Sequence, residues 1–195
     1  LTLPDITEMG IVKAGFDTDN DGWGEFLCSW TDLDTNVVLM YEATADNSYQ
    51  LVWSWIIPIP ISSYAPMAVG DVNNNGVVDI VVGLPSVVGT DANPLRLFFF
   101  EWNGVTGKND YGIKDNLSGL FTYSGGYNLG VVDNYDLRPF SMSVEDMDGD
   151  GKNELVTGIR QATPTTVRAV YVVSVDGDFS GFYFCEVKWK FQSTF

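Results

Sequence analysis

Three short acidic segments of the chain have the residue types and spacing to bind a hard metal ion. Each is a nine-residue loop with oxygen-bearing side chains at positions 1, 3, 5 and 9 and a glycine at position 6. These side chains are Asp17, Asp19, Asp21 and Glu25 in loop one, Asp71, Asn73, Asn75 and Asp79 in loop two, and Asp146, Asp148, Asp150 and Glu154 in loop three. Calcium takes roughly six to eight oxygen ligands, which alternating side chains on a tight turn can supply. The loops therefore predict up to three calcium sites.

The three loops differ in charge. Loops one and three each place four carboxylates within nine residues, and these would repel one another unless a cation neutralised them. Loop two has the neutral amides of Asn73 and Asn75 at positions 3 and 5. Because the charge of the ligands tunes affinity, we predict that the site at Asp71 to Asp79 is the weakest. Magnesium is disfavoured because it prefers a small octahedral shell and keeps its waters.

Short apolar segments flank every loop. β-branched and aromatic residues dominate them, glycine, asparagine, aspartate and proline separate them, and no long segment has helical spacing. Strands are predicted before the loops at 10–16, 66–70 and 140–144, after them at 25–30, 79–83 and 154–158, third in each unit at 37–41, 95–102 and 167–175, and fourth at 49–57, within 120–132 and at 182–191. The chain is therefore predicted to be all-β.

The strands and loops repeat as one unit. We predict a single domain, 1–195, with units at about 9–60, 64–134 and 138–195 and an insertion at 103–134 in the middle unit. About four strands per unit are typical of a β-propeller blade. The predicted fold is three four-stranded antiparallel β-propeller-type blades. They would form a partial or open propeller, because closed rings have about four to eight blades.

The units resemble the FG-GAP, or VCBS-type, repeats of integrin-like β-propellers. The segment Asp71 to Pro85 carries the resemblance most clearly, because its Gly83-Leu84-Pro85 ending is similar to the Gly-Ala-Pro of the family. The resemblance implies a calcium ion between the first two strands of each blade, held by the side chains named above. It also implies ligands at position 7, the backbone carbonyls of Trp23, Val77 and Lys152.

Composition excludes several functions. The net charge is −16, and ten of the 26 acidic residues lie at the predicted ligand positions. No basic cluster is present to bind nucleic acid or an anionic membrane surface. The most apolar stretch, Val52 to Ile61, is short and interrupted by prolines, so membrane insertion is not expected. The chain has no histidine and no glycine-rich phosphate loop, which favours a non-enzymatic role.

Two residue types have alternative interpretations. Cys28 and Cys185 are expected to be buried thiols, and a disulfide or a link between subunits is the alternative. The aromatic residues either pack between blades or form an exposed patch for a glycan or a partner protein. They are Trp53, Trp55, Phe98, Phe99, Phe100, Trp102, Phe182, Tyr183, Phe184 and Trp189.

Two short segments match sugar-acceptor patterns. Asn116-Leu117-Ser118 has the N-glycosylation spacing, in the predicted insertion. The threonine-rich turn at Thr163 to Thr166 is a candidate for O-linked sugar, with a plain loop as the alternative. Sequence leaves modification at both places open.

Together these features predict a calcium-binding structural or adhesion module, located outside the cell or at its surface. Its expected partners are further copies of itself, or another surface protein or glycan. Three blades cannot close a ring, and exposed sheet edges invite pairing with another chain, so a subunit of an extracellular fibre is one candidate. The alternative is an accessory propeller domain of a secreted carbohydrate-active enzyme that binds glycan through exposed aromatics.

Overall fold

The structure is a computed structural model that describes residues 9–31, 36–58, 63–85, 95–129, 136–163 and 168–193. No α-helix occurs in these ranges, and so none that could cross a membrane. The strands are β1 (Met9–Phe16), β2 (Glu25–Thr31), β3 (Asn36–Ala45), β4 (Ser48–Ile56), β5 (Met67–Gly70), β6 (Asp79–Gly83), β7 (Leu97–Glu101), β8 (Ile113–Lys114), β9 (Phe121–Thr122), β10 (Gly125–Tyr127), β11 (Asp136–Glu145), β12 (Glu154–Thr163), β13 (Arg168–Gly177) and β14 (Tyr183–Ser193).

The strands form three four-stranded sheets and one small hairpin. Sheet 1 has the order β1-β2-β3-β4, sheet 2 the order β5-β6-β7-β10, and sheet 3 the order β11-β12-β13-β14, while β8 pairs with β9. Every pair of neighbouring strands is antiparallel. The prediction of an all-β chain with antiparallel four-stranded sheets is confirmed.

The middle sheet takes its fourth strand from far along the chain. β10 lies within the predicted range 120–132 and pairs with β7, so residues 102–124 separate two neighbouring strands. We call residues 103–124 the connecting segment; it carries the β8–β9 hairpin. The predicted insertion, 103–134, thus includes one strand of the sheet, and its residues 130–134 lie outside the described ranges.

Sheet 2 is buried on both faces. Successive side chains of a strand point to opposite faces. On β6, Ile80 and Val82 belong to the apolar cluster shared with sheet 1, whereas Val81 belongs to the cluster shared with sheet 3. On β7, Phe98 and Phe100 pack toward sheet 1. The residues Leu97 and Phe99 pack toward sheet 3. Sheet 2 is therefore the middle layer between sheets 1 and 3.

The first strands of the three sheets meet. β1, β5 and β11 line a groove of about 420 Å³. Lys13 on β1 reaches across it and donates a hydrogen bond from Nζ to the backbone oxygen of Met142 on β11, at 3.1 Å. The three loops follow these strands directly, so the same geometry places all three loops at one end of the sheets.

The structure divides the aromatic residues into a buried and an exposed group, and a glycan or protein partner for the exposed group stays a prediction. The residues Trp53, Trp55, Phe98, Phe99 and Phe100 are buried between sheets, and Trp53 lies 5.2 Å from Phe100 between ring centroids. The residues Phe182, Phe184 and Trp189, on or next to the outer strand β14, are exposed. Both cysteines are free thiols; Cys28 is buried and Cys185 is half-buried.

Candidate cation sites

All three loops share one set of backbone-to-side-chain hydrogen bonds. The position-1 carboxylate accepts from the backbone N–H of position 6, at 2.9 Å in loop one, 2.8 Å in loop two and 3.0 Å in loop three. The position-5 side chain accepts from the N–H of position 7, at 2.8 Å in every loop. The position-9 carboxylate accepts from the N–H of position 2, at 2.6, 2.9 and 3.0 Å. The three loops therefore fold alike.

The backbone conformation explains part of the sequence pattern. Position 6 is Gly22, Gly76 or Gly151, with φ of 93°, 86° and 88°, a left-handed conformation that glycine adopts without a Cβ clash. Position 4 is also left-handed: Asn20, Asn74 and Gly149 have φ of 59°, 61° and 80°. Asparagine and glycine are the residues that tolerate this conformation best. Two left-handed residues within each loop thus give the three turns a similar backbone path.

The loop geometry brings acidic oxygens together at two places. In loop one, ligand atoms of Asp17, Asp19, Asp21 and Glu25 all lie within 4.8 Å of one another. In loop three the same holds for Asp146, Asp148 and Glu154, while Asp150 lies outside that group. Loop two has fewer acids and forms no such acidic group in the described residues. The two acidic clusters can hold a metal ion. The predicted ligand roles, including those of the position-7 carbonyls, stay predictions.

Loop one is buried. The side chains of Asp19 and Glu25 are 0% and 2% exposed, and one oxygen of each, Asp19 Oδ1 and Glu25 Oε1, has no hydrogen-bond partner among the described residues. Burial, with the nearby charges of Asp21, Glu42 and Asp17, raises the pKa of Asp19 to about 6. Burial also raises the pKa of Glu25 to about 7. Unpaired carboxylate oxygens in such a place fit a bound cation.

Loop two has a carboxylate that its nine residues do not contain. Glu101, at the end of β7, accepts hydrogen bonds at Oε2 from the amide nitrogens of Asn73 (3.2 Å) and Asn75 (2.6 Å). These bonds turn the amide oxygens away from Glu101. The oxygens Asn73 Oδ1 and Asp79 Oδ1 are buried without a partner in the described part of the chain. Burial, together with the charge of Glu101, raises the pKa of Asp79 to about 8.

Loop three is open to solvent. Asp146, Asp148 and Asp150 are exposed, and only Glu154 is buried. The loop borders a cleft of about 630 Å³ whose other walls include Ser174, Lys188 and Trp189. Lys152 Nζ lies 3.8 Å from Asp176 Oδ1, so a positively charged side chain lies beside the acidic cluster.

Sequence reasoning missed three residues near these sites. In the β ladders, Glu42 lies opposite Glu25, and Glu101 lies opposite Asp79. In two units, then, an acidic residue on the third strand lies opposite position 9 of the loop. This repeated acidic residue is the sequence signal that could have indicated Glu42 and Glu101. Asn109, in the connecting segment, donates from Nδ2 to Asp19 Oδ2 (3.0 Å) and to Glu42 Oε1 (2.9 Å). It lies 90 residues from Asp19 along the chain, so no local pattern could have indicated it.

Loops two and three are joined directly. The side chain of Asn74 accepts from the backbone N–H of Asn153 at 2.6 Å and donates to its backbone oxygen at 3.1 Å. Asn153 Nδ2 donates in turn to the backbone oxygen of Asp71 at 2.9 Å. These bonds connect the two sites across the interface between sheets 2 and 3.

These features define an all-β protein of repeated strand, acidic loop and strand. Residues 17–82 match the family model of the FG-GAP-like repeat, which is consistent with an FG-GAP-type repeat in this part of the chain. The match begins at position 1 of loop one and continues through loop two into β6. It confirms the resemblance seen in the sequence. No curated protein and no solved structure matched the chain.

Proposed function

We propose that this chain is a calcium-binding structural module that acts outside the cell. The observation that supports this most strongly is the common hydrogen-bond set of the three loops. It engages one oxygen of the position-9 carboxylate in every loop, and the second oxygen is buried and unpaired in Glu25 and Asp79. A hard cation with oxygen ligands would satisfy these atoms.

Calcium would neutralise each acidic cluster and connect the first two strands of its sheet. The residues that would hold it in loop one are Asp17, Asp19, Asp21 and Glu25, with the carbonyl of Trp23, and their counterparts would do so in loops two and three. An ion that binds only the folded chain stabilises it by mass action. The role of the metal in this proposal is therefore structural.

The arrangement of the sheets supports a propeller-type fold. In a propeller each sheet packs its faces against neighbouring sheets around a central channel. Sheet 2 is buried on both faces, and β1, β5 and β11 line one groove. We propose that the three sheets are blades of a partial or open propeller, with these first strands at its axis.

The outer face of sheet 3 supports a role in assembly. Val81 on β6 packs toward the following sheet, and Val156 holds the equivalent position on β12, two residues after position 9 of its loop. Near Val156 on the same sheet, Val170, Trp189 and Phe191 are exposed. An exposed apolar sheet face of this kind favours contact with another protein surface. We propose a non-enzymatic adhesion or fibre subunit that binds copies of itself or another surface protein.

A second candidate is an accessory propeller domain of a secreted carbohydrate-active enzyme. The observation in its favour is the group of exposed aromatic side chains at β14: Phe182 is 81% exposed and Trp189 is 55% exposed. Aromatic rings at a surface can stack on sugar rings. Retarded migration through a gel containing soluble polysaccharide, lost in Trp189→Ala and without self-association, would favour this candidate.

Electron microscopy of the purified chain, with calcium and then with a chelator, tests the proposal. Filaments or ordered assemblies that dissociate on chelation would support a calcium-dependent structural subunit. Discrete particles that lose thermal stability on chelation would support the calcium sites but reject the fibre role. If chelation changed neither assembly nor thermal stability, the proposed function would be wrong.

A further inference from the structure

We propose that Asn109 is a further residue of the cation site in loop one, and that this cation attaches the connecting segment of unit two to unit one. The inference rests on the proposed calcium binding. Asn109 lies outside the nine-residue loop pattern and approaches the site from the connecting segment between β7 and β10.

Asn109 is buried among acidic groups. Its side chain is 8% exposed, and its Nδ2 donates to Asp19 Oδ2 and Glu42 Oε1 at 3.0 and 2.9 Å. One amide therefore holds two carboxylates that would otherwise repel each other. The bond occupies Oδ2 of Asp19 and leaves Oδ1 of the same carboxylate free for the cation.

Unpaired oxygens mark the same place. Asp19 Oδ1, Glu25 Oε1 and Asn109 Oδ1 are all buried without a hydrogen-bond partner among the described residues. A buried polar atom without a partner is costly, so three such atoms in one region favour the binding of a ligand there. In this arrangement Asn109 is a positioning residue, and its free oxygen can accept from a water bound to the cation.

The connecting segment contacts the loop at a second point. The backbone N–H of Gly107 donates to the backbone oxygen of Asp19 at 3.2 Å. Further along, the ring of Tyr111 packs on Trp53 of β4, whose Nε1 donates to the Tyr111 backbone oxygen at 3.2 Å. Because Asp19 contacts the segment through both its side chain and its backbone, an ion that fixes Asp19 also fixes residues 107–109.

Terbium luminescence excited through tryptophan tests whether Asn109 contributes to the cation affinity of loop one. Trp23 is the only tryptophan inside one of the three loops, so the signal that disappears in Trp23→Phe reports site one. Removing residues that orient metal-binding carboxylates commonly weakens metal binding by about 10- to 100-fold. We expect Asn109→Ala to weaken terbium at site one by about tenfold or more.

The matched control is Asn103→Ala. Asn103 lies in the same connecting segment, and its amide donates to Asp110 rather than to the loop. We expect this variant to bind terbium at site one as the native chain does. Equal affinity in Asn109→Ala and the native chain would overturn the inference and leave the calcium proposal intact. Absence of terbium and calcium binding in the native chain would overturn both.

Hydrogen exchange tests whether the cation in loop one attaches the connecting segment to unit one. Calcium should slow amide exchange in residues 103–124 of the native chain. Asp17→Asn, which changes a loop-one ligand, should remove this protection, whereas the equivalent change in loop three, Asp146→Asn, should keep it. Protection that is independent of calcium, or that is lost equally in both variants, would contradict the attachment of this segment by the site-one cation.

Discussion

Loops one and three have the same four acidic ligand types and share three backbone-to-side-chain hydrogen bonds, but they differ in burial at position 3. In loop one, Asp19 and Glu25 are buried, and Asn109 from another unit donates a hydrogen bond to Asp19. In loop three, the three aspartates are exposed, and Lys152 lies beside Asp176 at the edge of the cluster. The comparison indicates that local sequence sets the shape of the loop, and it predicts that burial decides how strongly the charges of the loop need a cation.

The largest predicted effect is on thermal stability. It compares the same isosteric substitution at position 3 of the two loops, Asp19→Asn and Asp148→Asn. In calcium, Asp19→Asn should lose about 2–3 kcal/mol of stability, which is the effect of a site filled at about 100 times its dissociation constant. For a chain of this size that lowers the unfolding midpoint by about 5–10 °C. Asp148→Asn should lose less, because its site is open. Thermal unfolding followed by circular dichroism measures both.

In chelator the order of stability of these two variants should be reversed. Without calcium, Asp19→Asn removes a buried charge from among like charges, so it should equal or exceed the native chain in stability. Asp148→Asn should differ little from the native chain, since exposed charges repel weakly in water. Equal behaviour of the two variants in both conditions would contradict the contrast between the loops.

The next effect is the dependence of stability on pH. Burial raises the pKa values of Asp19, Glu25 and Asp79 to about 6, 7 and 8. Their unfolded values are near 4, so between about pH 4 and 8 the calcium-free fold binds more protons than the unfolded chain. Its stability should therefore fall as pH rises through this window. Unfolding midpoints at pH 5 and 8 in chelator measure the decline.

Calcium should reverse this trend, because its carboxylate ligands bind it only when deprotonated. The variant Asp148→Asn is the control. In chelator, Asp19→Asn should reduce the fall of stability with rising pH, whereas Asp148→Asn should leave it unchanged. A calcium-free midpoint that rises from pH 5 to 8 would show that the buried carboxylates are not the groups responsible.

A smaller effect is expected at loop two. Glu101→Gln removes the charge that orients the amides of Asn73 and Asn75, and we expect site two to bind calcium about tenfold more weakly. Glu186→Gln is the control, because Glu186 is an exposed carboxylate that pairs with Lys188. Calorimetric titration should show the weakest of the three sites weakened by about tenfold in Glu101→Gln and unchanged in the control. Unchanged affinity at that site would contradict a role of Glu101 in calcium binding.

The smallest effect concerns position 4. Asn74 and Asn20 share a left-handed backbone, but only Asn74 bonds to the neighbouring loop. Glycine keeps the conformation and removes the side chain. We expect Asn74→Gly to cost about 1–2 kcal/mol in denaturant unfolding. The matched variant Asn20→Gly should change stability by no more than about 0.5 kcal/mol. Equal losses would mean that the bonds between loops two and three contribute nothing.

The sequence predicted what depends on local pattern. The loop positions and the strands that begin at Glu25, Asp79 and Glu154 follow from the short apolar runs and from the acidic spacing. The strand β10 was located only within a range, because its Gly125 and Gly126 lack the side chains that favour strands. The pairing of β10 with β7 is decided by packing between distant segments rather than by local preference.

The surroundings of the sites could not be predicted in the same way. Glu42, Glu101 and Asn109 approach the loops only after strands pair and the connecting segment folds back on sheet 1. A nine-residue pattern contains no information on such contacts. The prediction that loop two binds most weakly was made on its own two carboxylates, and it stays a prediction. The turn at 164–166 lies outside the described residues.

Native mass spectrometry of the full chain, first stripped of metal and then titrated with calcium, tests the central claim most directly. The account predicts three bound calcium ions, with Asp17→Asn and Asp146→Asn each binding one fewer and magnesium replacing none of them at equal concentration. A chain that binds no calcium, or whose stoichiometry is unchanged in both variants, would contradict the claim that these loops are cation sites.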